Sequence, residues 1–145
     1  MNIKTYLSKF GDFLIRRLIE LLGLVFIVFS FFLFLSLLSY SVDDPNFVYS
    51  GGPNINNIFG TKGSFVSDFL LQSIGIISFL FSTSIFFIGL NLIQKKKIII
   101  ILDNLFYVTL YSFFGCLFLS AFYNASFWLP INGNGGFVGN IIFNN

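Results

Sequence analysis

An uncharged run of residues, 21–40, constrains this chain more than any other feature of its sequence. At 1.5 Å per residue a helix over this run is about 30 Å long, which matches the hydrocarbon core of a bilayer. The chain is 56% hydrophobic and only 10% charged, a balance that favours an integral membrane protein. A cleaved signal peptide is the alternative. The basic start and the small residues Ser39 and Ser41 suit one, but the run is longer than a signal peptide needs and further apolar runs follow.

Two more apolar runs predict two more spans, and polar segments separate them. The last stretch is too short to cross a bilayer and is interpreted as the start of a fourth span. The sequence therefore predicts an all-α membrane protein with three transmembrane helices, an N-terminal amphipathic helix and the start of a fourth span. The predicted segments are an amphipathic segment at 1–20, a first span at 21–41, an external loop at 42–66, a second span at 67–94, a cytoplasmic turn at 95–104, a third span at 105–123, and an external loop with the start of the fourth span at 124–145.

The first twenty residues combine apolar and basic positions. Ile3, Leu7, Phe10, Leu14 and Leu18 recur at intervals of three and four, which is helical spacing. The basic residues lie mostly off that stripe. This pattern predicts an amphipathic helix on the membrane surface. A partly ordered tail is the alternative.

Basic residues beside the spans predict the orientation of the chain. Four of them precede the first span and three form the turn at 95–97, whereas the first loop holds only Lys62 and the C-terminal stretch holds none. The N-terminus and the lysine turn are thus predicted in the cytoplasm, and both loops outside. Three complete spans would place Asn145 outside. Asp103 would lie near the headgroups, where a carboxylate reaches water.

Small residues recur on one face of the second and third spans at 100° per residue, and such faces let membrane helices approach closely. We expect these two faces to pack against each other. Asp68 shares such a face, and an ion path through Asp68 and Asp103 is an alternative, although the two carboxylates are predicted at opposite membrane faces. The predicted packing positions are Gly75, Ser78, Ser82, Gly89, Thr109, Ser112, Gly115, Cys116 and Ser120.

Several kinds of chemistry are not supported by the sequence. It contains no histidine, which excludes a His-dependent triad, and its single cysteine cannot form an intrachain disulfide. No phosphate-binding loop with its lysine is present, and the glycines at 133–139 lack the strand that precedes such a loop. We therefore expect no catalytic, cofactor-binding or metal-binding residues and no nucleic acid bound by this chain.

Three stretches, "LLSYSVDDPNF", "NIFGTKGSFVSDFLLQSIG" and "LPINGNGGFVG", stand in this order and each adjoins a span. Together they resemble the N-terminal membrane domain of the FtsK/SpoIIIE family of bacterial DNA translocases. The resemblance covers nearly the whole chain from about residue 16. The matching positions are Ser39, Tyr40, Ser41, Asp44, Pro45, Asn57, Gly60, Gly63, Asp68, Leu129, Pro130, Gly133, Gly135, Gly136 and Gly139.

The resemblance implies a role that composition does not show. Members of this family anchor an ATP-driven motor at the division septum of the bacterial inner membrane, where it moves chromosomal DNA. The implied partners are the lipid bilayer, further copies of the chain and septal division proteins. This sequence lacks the family's fourth span, linker, phosphate loop and DNA-binding module, so we expect no enzymatic activity from it. A stand-alone small membrane protein, either an accessory subunit or a transporter fragment, is the alternative.

Overall fold

The computed structural model of the protein describes residues 3–52, 54–126 and 128–144. Asn145, on which one topology expectation rests, lies outside the described residues. The secondary structure in the described ranges is helical, and three segments are long and apolar enough to cross a membrane: Lys9–Leu38, Ile77–Lys95 and Ile100–Phe122. The predicted all-α fold with three candidate spans is therefore confirmed. The helices are α1 Ile3–Leu38, α2 Gly60–Ile74, α3 Ile77–Lys95, α4 Ile100–Phe122 and α5 Gly136–Asn144.

Helix α1 is continuous. The sequence pattern, in contrast, predicts a surface helix followed by a separate first span. The sequence of α1 contains no proline, and its glycines at 11 and 23 leave the helix unbroken. At 36 residues it is about 54 Å long, so it extends well beyond a 30 Å hydrocarbon core. It ends at Leu38, short of the predicted limit at 41, where the Ser39 hydroxyl donates to the Leu35 carbonyl at 2.8 Å.

The predicted second span, 67–94, is two helices in the structure. Gly75 separates α2 from α3 with a φ of 62°, a left-handed conformation that side chains disfavour. Phe65 of α2 and Ile85 of α3 line one apolar cavity, so α2 folds back against α3. A straight helix would hold these two residues about 30 Å apart. The candidate span is therefore α3 alone, and α2 occupies part of the predicted external loop.

The turn after α3 is shorter than the predicted segment 95–104. Lys96 takes a left-handed conformation with a φ of 53°, and its amide donates to the Leu92 carbonyl at 2.9 Å, which closes α3. Helix α4 begins at Ile100, so Asp103 lies in its first turn and is exposed. An acidic residue is favourable there because it complements the helix dipole. The helix thus begins before residue 105, where the third span was predicted to start.

Helix α1 packs mainly on α3. The closest approach joins Gly23 and Gly89: a side-chain carbon added at either glycine would lie 2.7 Å from the carbonyl oxygen of the other. The prediction that Gly89 faces the third span is wrong, because the small-residue face of α3 meets Gly23 on α1. Ser82 lies on the same side of α3 and borders a cavity with Ser30 and Phe31 of α1. An apolar cluster around Ile19, Ile88 and Leu92 adds to this packing, and a second cluster around Leu37, Leu71 and Leu129 joins α1 to α2 and to the segment after α4.

Contact between α3 and α4 occurs where Ile77 packs on Gly115. Just before α3, the carbonyl of Ile74 accepts a 3.4 Å hydrogen bond from the Cys116 thiol. Ser78 is fully buried and donates to the Gly75 carbonyl at 2.6 Å. We call the end of the bundle that carries residues 39–75 and 123–136 the loop end, and the opposite end, with Glu20 and residues 95–97, the lysine end.

Helix α5 packs on α4 and on α2. A side-chain carbon at Gly135 or Gly139 would lie 2.5 Å from the Cys116 carbonyl, so only glycine allows this approach. Ser112 and Val138 border an apolar groove further along α4. Helix α5 lies where the sequence predicts the start of a fourth span, and it is held against α4.

Candidate functional site

The loop between α1 and α2 is organised around the carboxylate of Asp44. This side chain is 2% exposed, and its two oxygens accept the backbone N–H groups of Asn56 at 2.8 Å and Asn57 at 2.9 Å. A carboxylate is the strongest acceptor available for paired amides, which accounts for an acidic residue at this buried position. The Ser41 hydroxyl supports the same turn by accepting a 3.3 Å hydrogen bond from the side-chain amide of Asn56.

Asn57 connects this turn to the helices. Its side-chain amide donates to the Ser36 carbonyl at 2.9 Å and lies 3.4 Å from the Ser67 hydroxyl, which links α1 to α2. Its side-chain oxygen Oδ1 accepts a 3.1 Å hydrogen bond from the backbone amide of Phe59. Asn57 is buried, so these bonds replace the water that its amide loses. The Ser39 hydroxyl accepts the next amide, that of Ile58, at 3.2 Å.

Two glycines shape the entry into α2. Gly60 has a φ of 62°, and its amide donates to the Asn57 carbonyl at 2.9 Å. A side-chain carbon at Gly63 would overlap the side chain of Asn57, so the close approach requires glycine. Pro45 is buried beside them, and its carbonyl accepts the hydroxyl of Ser64.

A second set of polar contacts crosses the loop end. The Tyr40 hydroxyl donates to the Asp68 carboxylate at 3.2 Å and accepts from the Gln72 side chain at 3.3 Å. Gln72 accepts the Asn132 amide at 2.8 Å, and Asn140 of α5 donates to the Asn132 carbonyl at 2.6 Å. Burial and the neighbouring Asp68 carboxylate raise the pKa of Tyr40 to about 12. The phenol is therefore neutral at physiological pH and serves as a donor.

The segment from Leu129 to Gly139 closes the loop end. Leu129 is buried against Leu37 and Leu71, and Pro130 is exposed in the following turn. The glycines at 133 and 136 have φ values of 66° and 67°. A side-chain carbon at Gly136 would lie 2.5 Å from the backbone nitrogen of Gly75. The turn before α5 therefore packs directly against the turn before α3.

We refer to residues 39–75 and 123–136 together as the loop cap. The polar groups of the cap described above bond to one another, which suits a structural role in holding α1, α2 and α5 in register. Asp68 is engaged by Tyr40 at the loop end, whereas Asp103 is exposed near the lysine end, so the structure does not bring these two carboxylates together. Among the described residues there is no cluster of three or more His, Cys, Asp or Glu side chains that could hold a metal.

Sequence reasoning missed several residues of this arrangement. Asn134 donates to the Tyr123 and Ala125 carbonyls at 2.8 and 3.0 Å, and its own carbonyl accepts the Ile76 amide at 3.0 Å. Gly23 was also missed, although a glycine within an apolar span is itself a signal of close helix approach. Gln72 gave no comparable signal, since its partners are distant in sequence.

Comparison with known proteins agrees with this architecture. Residues 15–145 match the family model described as the 4TM region of the DNA translocase FtsK/SpoIIIE. The DNA translocase FtsK of Rickettsia bellii (strain RML369-C) is 38% identical over 109 residues, which are 74% of this chain and 14% of that relative. No solved structure matches. The chain belongs to the family formed by the four-span membrane region of the FtsK/SpoIIIE DNA translocases.

Proposed function

We propose that this chain is the membrane-anchoring domain of a DNA translocase that acts in cell division and chromosome segregation. The observation that carries the proposal is the family match, which runs along nearly the whole chain and includes the loop cap. The relative from Rickettsia bellii is named as a DNA translocase, and the chain spans only 14% of its length. Translocation itself, and the ATP and DNA that it needs, belong in this proposal to the part of that relative that the match does not cover.

The physical arrangement supports an anchor. Helices α1, α3 and α4 expose large apolar side chains along their length, and this surface is stable in lipid. In the proposal the bundle lies in the bacterial inner membrane, with the lysine end in the cytoplasm and the loop end outside. The polar groups of the loop cap are hydrogen-bonded to one another. We assign to the cap the contact with septal division proteins and the alignment of further copies of the chain.

Septal placement is testable with a fluorescent protein joined to the N-terminus. In dividing bacterial cells the fusion is expected to concentrate at the division site. Asp44→Ala opens the loop cap and should disperse the signal around the membrane, whereas Asp43→Ala alters an exposed neighbour and should leave it in place. Uniform membrane fluorescence of the unmodified chain would contradict the septal role.

The absence of motor activity has a separate test. The purified chain in detergent should hydrolyse ATP no faster than a heat-inactivated sample, with or without added duplex DNA. Hydrolysis above that background, and further stimulated by DNA, would mean that the chain contributes to the motor itself.

A further inference from the structure

The lysine end carries more positive charge than its acidic residues neutralise. Five basic side chains lie there, two from α1, one from the last residue of α3 and two from the turn between α3 and α4. Asp12 and Glu20 on α1 and Asp103 at the start of α4 are the acidic residues nearest to them in the chain, so the region has a net charge of +2, from five positive and three negative groups. The basic residues are Arg16, Arg17, Lys95, Lys96 and Lys97.

Glu20 joins the two basic segments. Its carboxylate lies 2.5 Å from the Lys96 amine and 2.6 Å from the Arg17 guanidinium. The left-handed conformation of Lys96 belongs to the turn that closes α3. One carboxylate therefore holds a cation from each segment at the same level of the bundle, which brings α1 and the α3–α4 turn together.

The remaining cations have no such partner. Arg16, Lys95 and Lys97 are exposed, and none of them forms an ion pair within the ranges that the structure describes. They flank the bridge made by Glu20, Arg17 and Lys96. Uncompensated cations at one end of a bundle attract an anion from outside the chain.

Exposed apolar side chains lie next to these cations. Their presence restricts the kind of anion that could bind there. Ile98 and Ile99 follow Lys97 directly, Leu102 lies three residues further on, and these side chains are 60%, 54% and 62% exposed. A ligand that satisfies both surfaces has a negative headgroup and long apolar chains. Free phosphate and nucleic acid would leave the apolar surface uncovered, whereas a phospholipid covers it at the depth where a span leaves the bilayer.

We propose that the lysine end binds an anionic phospholipid, with the phosphate paired to Arg16, Lys95 and Lys97 and the acyl chains lying on Ile98, Ile99 and Leu102. Glu20 limits the strength of this binding because it occupies Arg17 and Lys96. The site is independent of any motor and goes beyond the anchoring role, since it makes residence in the membrane sensitive to lipid composition.

Native mass spectrometry of the full chain released from detergent tests the proposal. Titration with phosphatidylglycerol and with phosphatidylcholine gives the occupancy of each lipid. Phosphatidylglycerol should bind about tenfold more tightly than phosphatidylcholine. In the double variant Lys95→Gln with Lys97→Gln, the affinity for phosphatidylglycerol should fall about fivefold for each lysine removed. Lys62→Gln, in α2 at the loop end, removes one charge elsewhere and should bind as the unmodified chain does.

Glu20→Gln should change lipid affinity in the opposite direction to the lysine variants. A variant that merely unfolds would lose affinity, so a gain distinguishes a lipid site from a folding defect. The substitution frees Arg17 and Lys96 and should tighten phosphatidylglycerol binding by about fivefold. Weaker or unchanged binding in Glu20→Gln, equal binding of the two lipids, or an equal loss in Lys62→Gln would overturn the proposal. Displacement of the lipid by millimolar inorganic phosphate would also overturn it, because the apolar surface would then contribute nothing.

Discussion

Asp44 is a buried carboxylate whose partners are backbone amides. The described residues place no lysine or arginine in an ion pair with it, yet both oxygens are bonded to N–H groups from the other side of the loop. Hydrogen bonds to an ionised acceptor are about twice as strong as those between neutral groups. The turn is therefore fixed by one side chain, and its loss leaves two amides unsatisfied.

Asp44→Ala is expected to destabilise the folded chain by about 2–4 kcal/mol, because the buried amide of Asn57 and the partly buried amide of Asn56 lose their acceptor. Asp43→Ala changes an exposed neighbour in the same turn and should alter stability by less than about 0.5 kcal/mol. Thermal unfolding in detergent, followed by circular dichroism, measures both. Equal melting temperatures for the two variants would contradict the role given to Asp44.

Tyr40 gives the loop cap a dependence on alkaline pH. Burial and Asp68 raise the pKa of Tyr40 to about 12, above its value of about 10 in the unfolded chain. The stabilisation is complete below pH 10 and is lost as the pH rises towards 12, because the unfolded chain releases the proton first. The absorbance at 295 nm of the unmodified chain, minus that of Tyr40→Phe, should titrate near pH 12. A midpoint near 10 would show that burial and Asp68 together do not hold the hydroxyl in its neutral form.

At the scale of elements, α1 and α3 form the central pair, and their backbones meet at Gly23 and Gly89. Lipid provides no hydrophobic driving force between helices, so close packing of small residues accounts for much of their association. The Glu20–Lys96 ion pair lies at the lysine end of the same pair of segments and Phe34 packs on Phe79 towards the loop end.

Gly23→Ala should destabilise the chain by about 1–3 kcal/mol, since the new carbon would lie 2.7 Å from a backbone oxygen that cannot move independently. Gly11→Ala is a matched control on the same helix, because nothing lies within 4 Å of its added carbon. This control should leave stability unchanged or raise it by about 0.5–1 kcal/mol. A loss of the same size in both variants would contradict the role given to the contact with α3, because helix propensity alone favours alanine at either position.

The fold-back of α2 on α3 is a second feature at this scale. Spin labels at Phe65 and Ile85 would be about 30 Å apart in a straight helix and less than about two thirds of that in the observed arrangement. Labels at Leu80 and Gln94, both within α3, should give about 21 Å and calibrate the measurement. A distance near 30 Å for the first pair would restore the single second span that the sequence suggested.

Across the whole molecule, the sequence predicted those features of the fold that depend on the residues of a single segment. The uncharged run at 21–40 identified the first candidate span, and the glycines around Gly135 indicated the turn into a further helix. It did not predict the features that depend on contacts between segments distant in the sequence. Gly75 resembles the other small residues of membrane helices, and its left-handed conformation follows from contact with the turn at Asn134, which no local pattern contains. The partner of Gly89 was misassigned for the same reason.

Insertion of this bundle with the lysine end in the cytoplasm is the central claim, and accessibility to a membrane-impermeant maleimide tests it most directly. In a Cys116→Ala background, cysteine replaces either Val48, which is 98% exposed in the first loop, or Lys97 at the lysine end. In intact spheroplasts Val48→Cys should react at once, whereas Lys97→Cys should react only after the membrane is permeabilised. Immediate labelling of Lys97→Cys with protection of Val48→Cys would show the inverse orientation, and immediate labelling of both would contradict a chain that crosses the membrane between them.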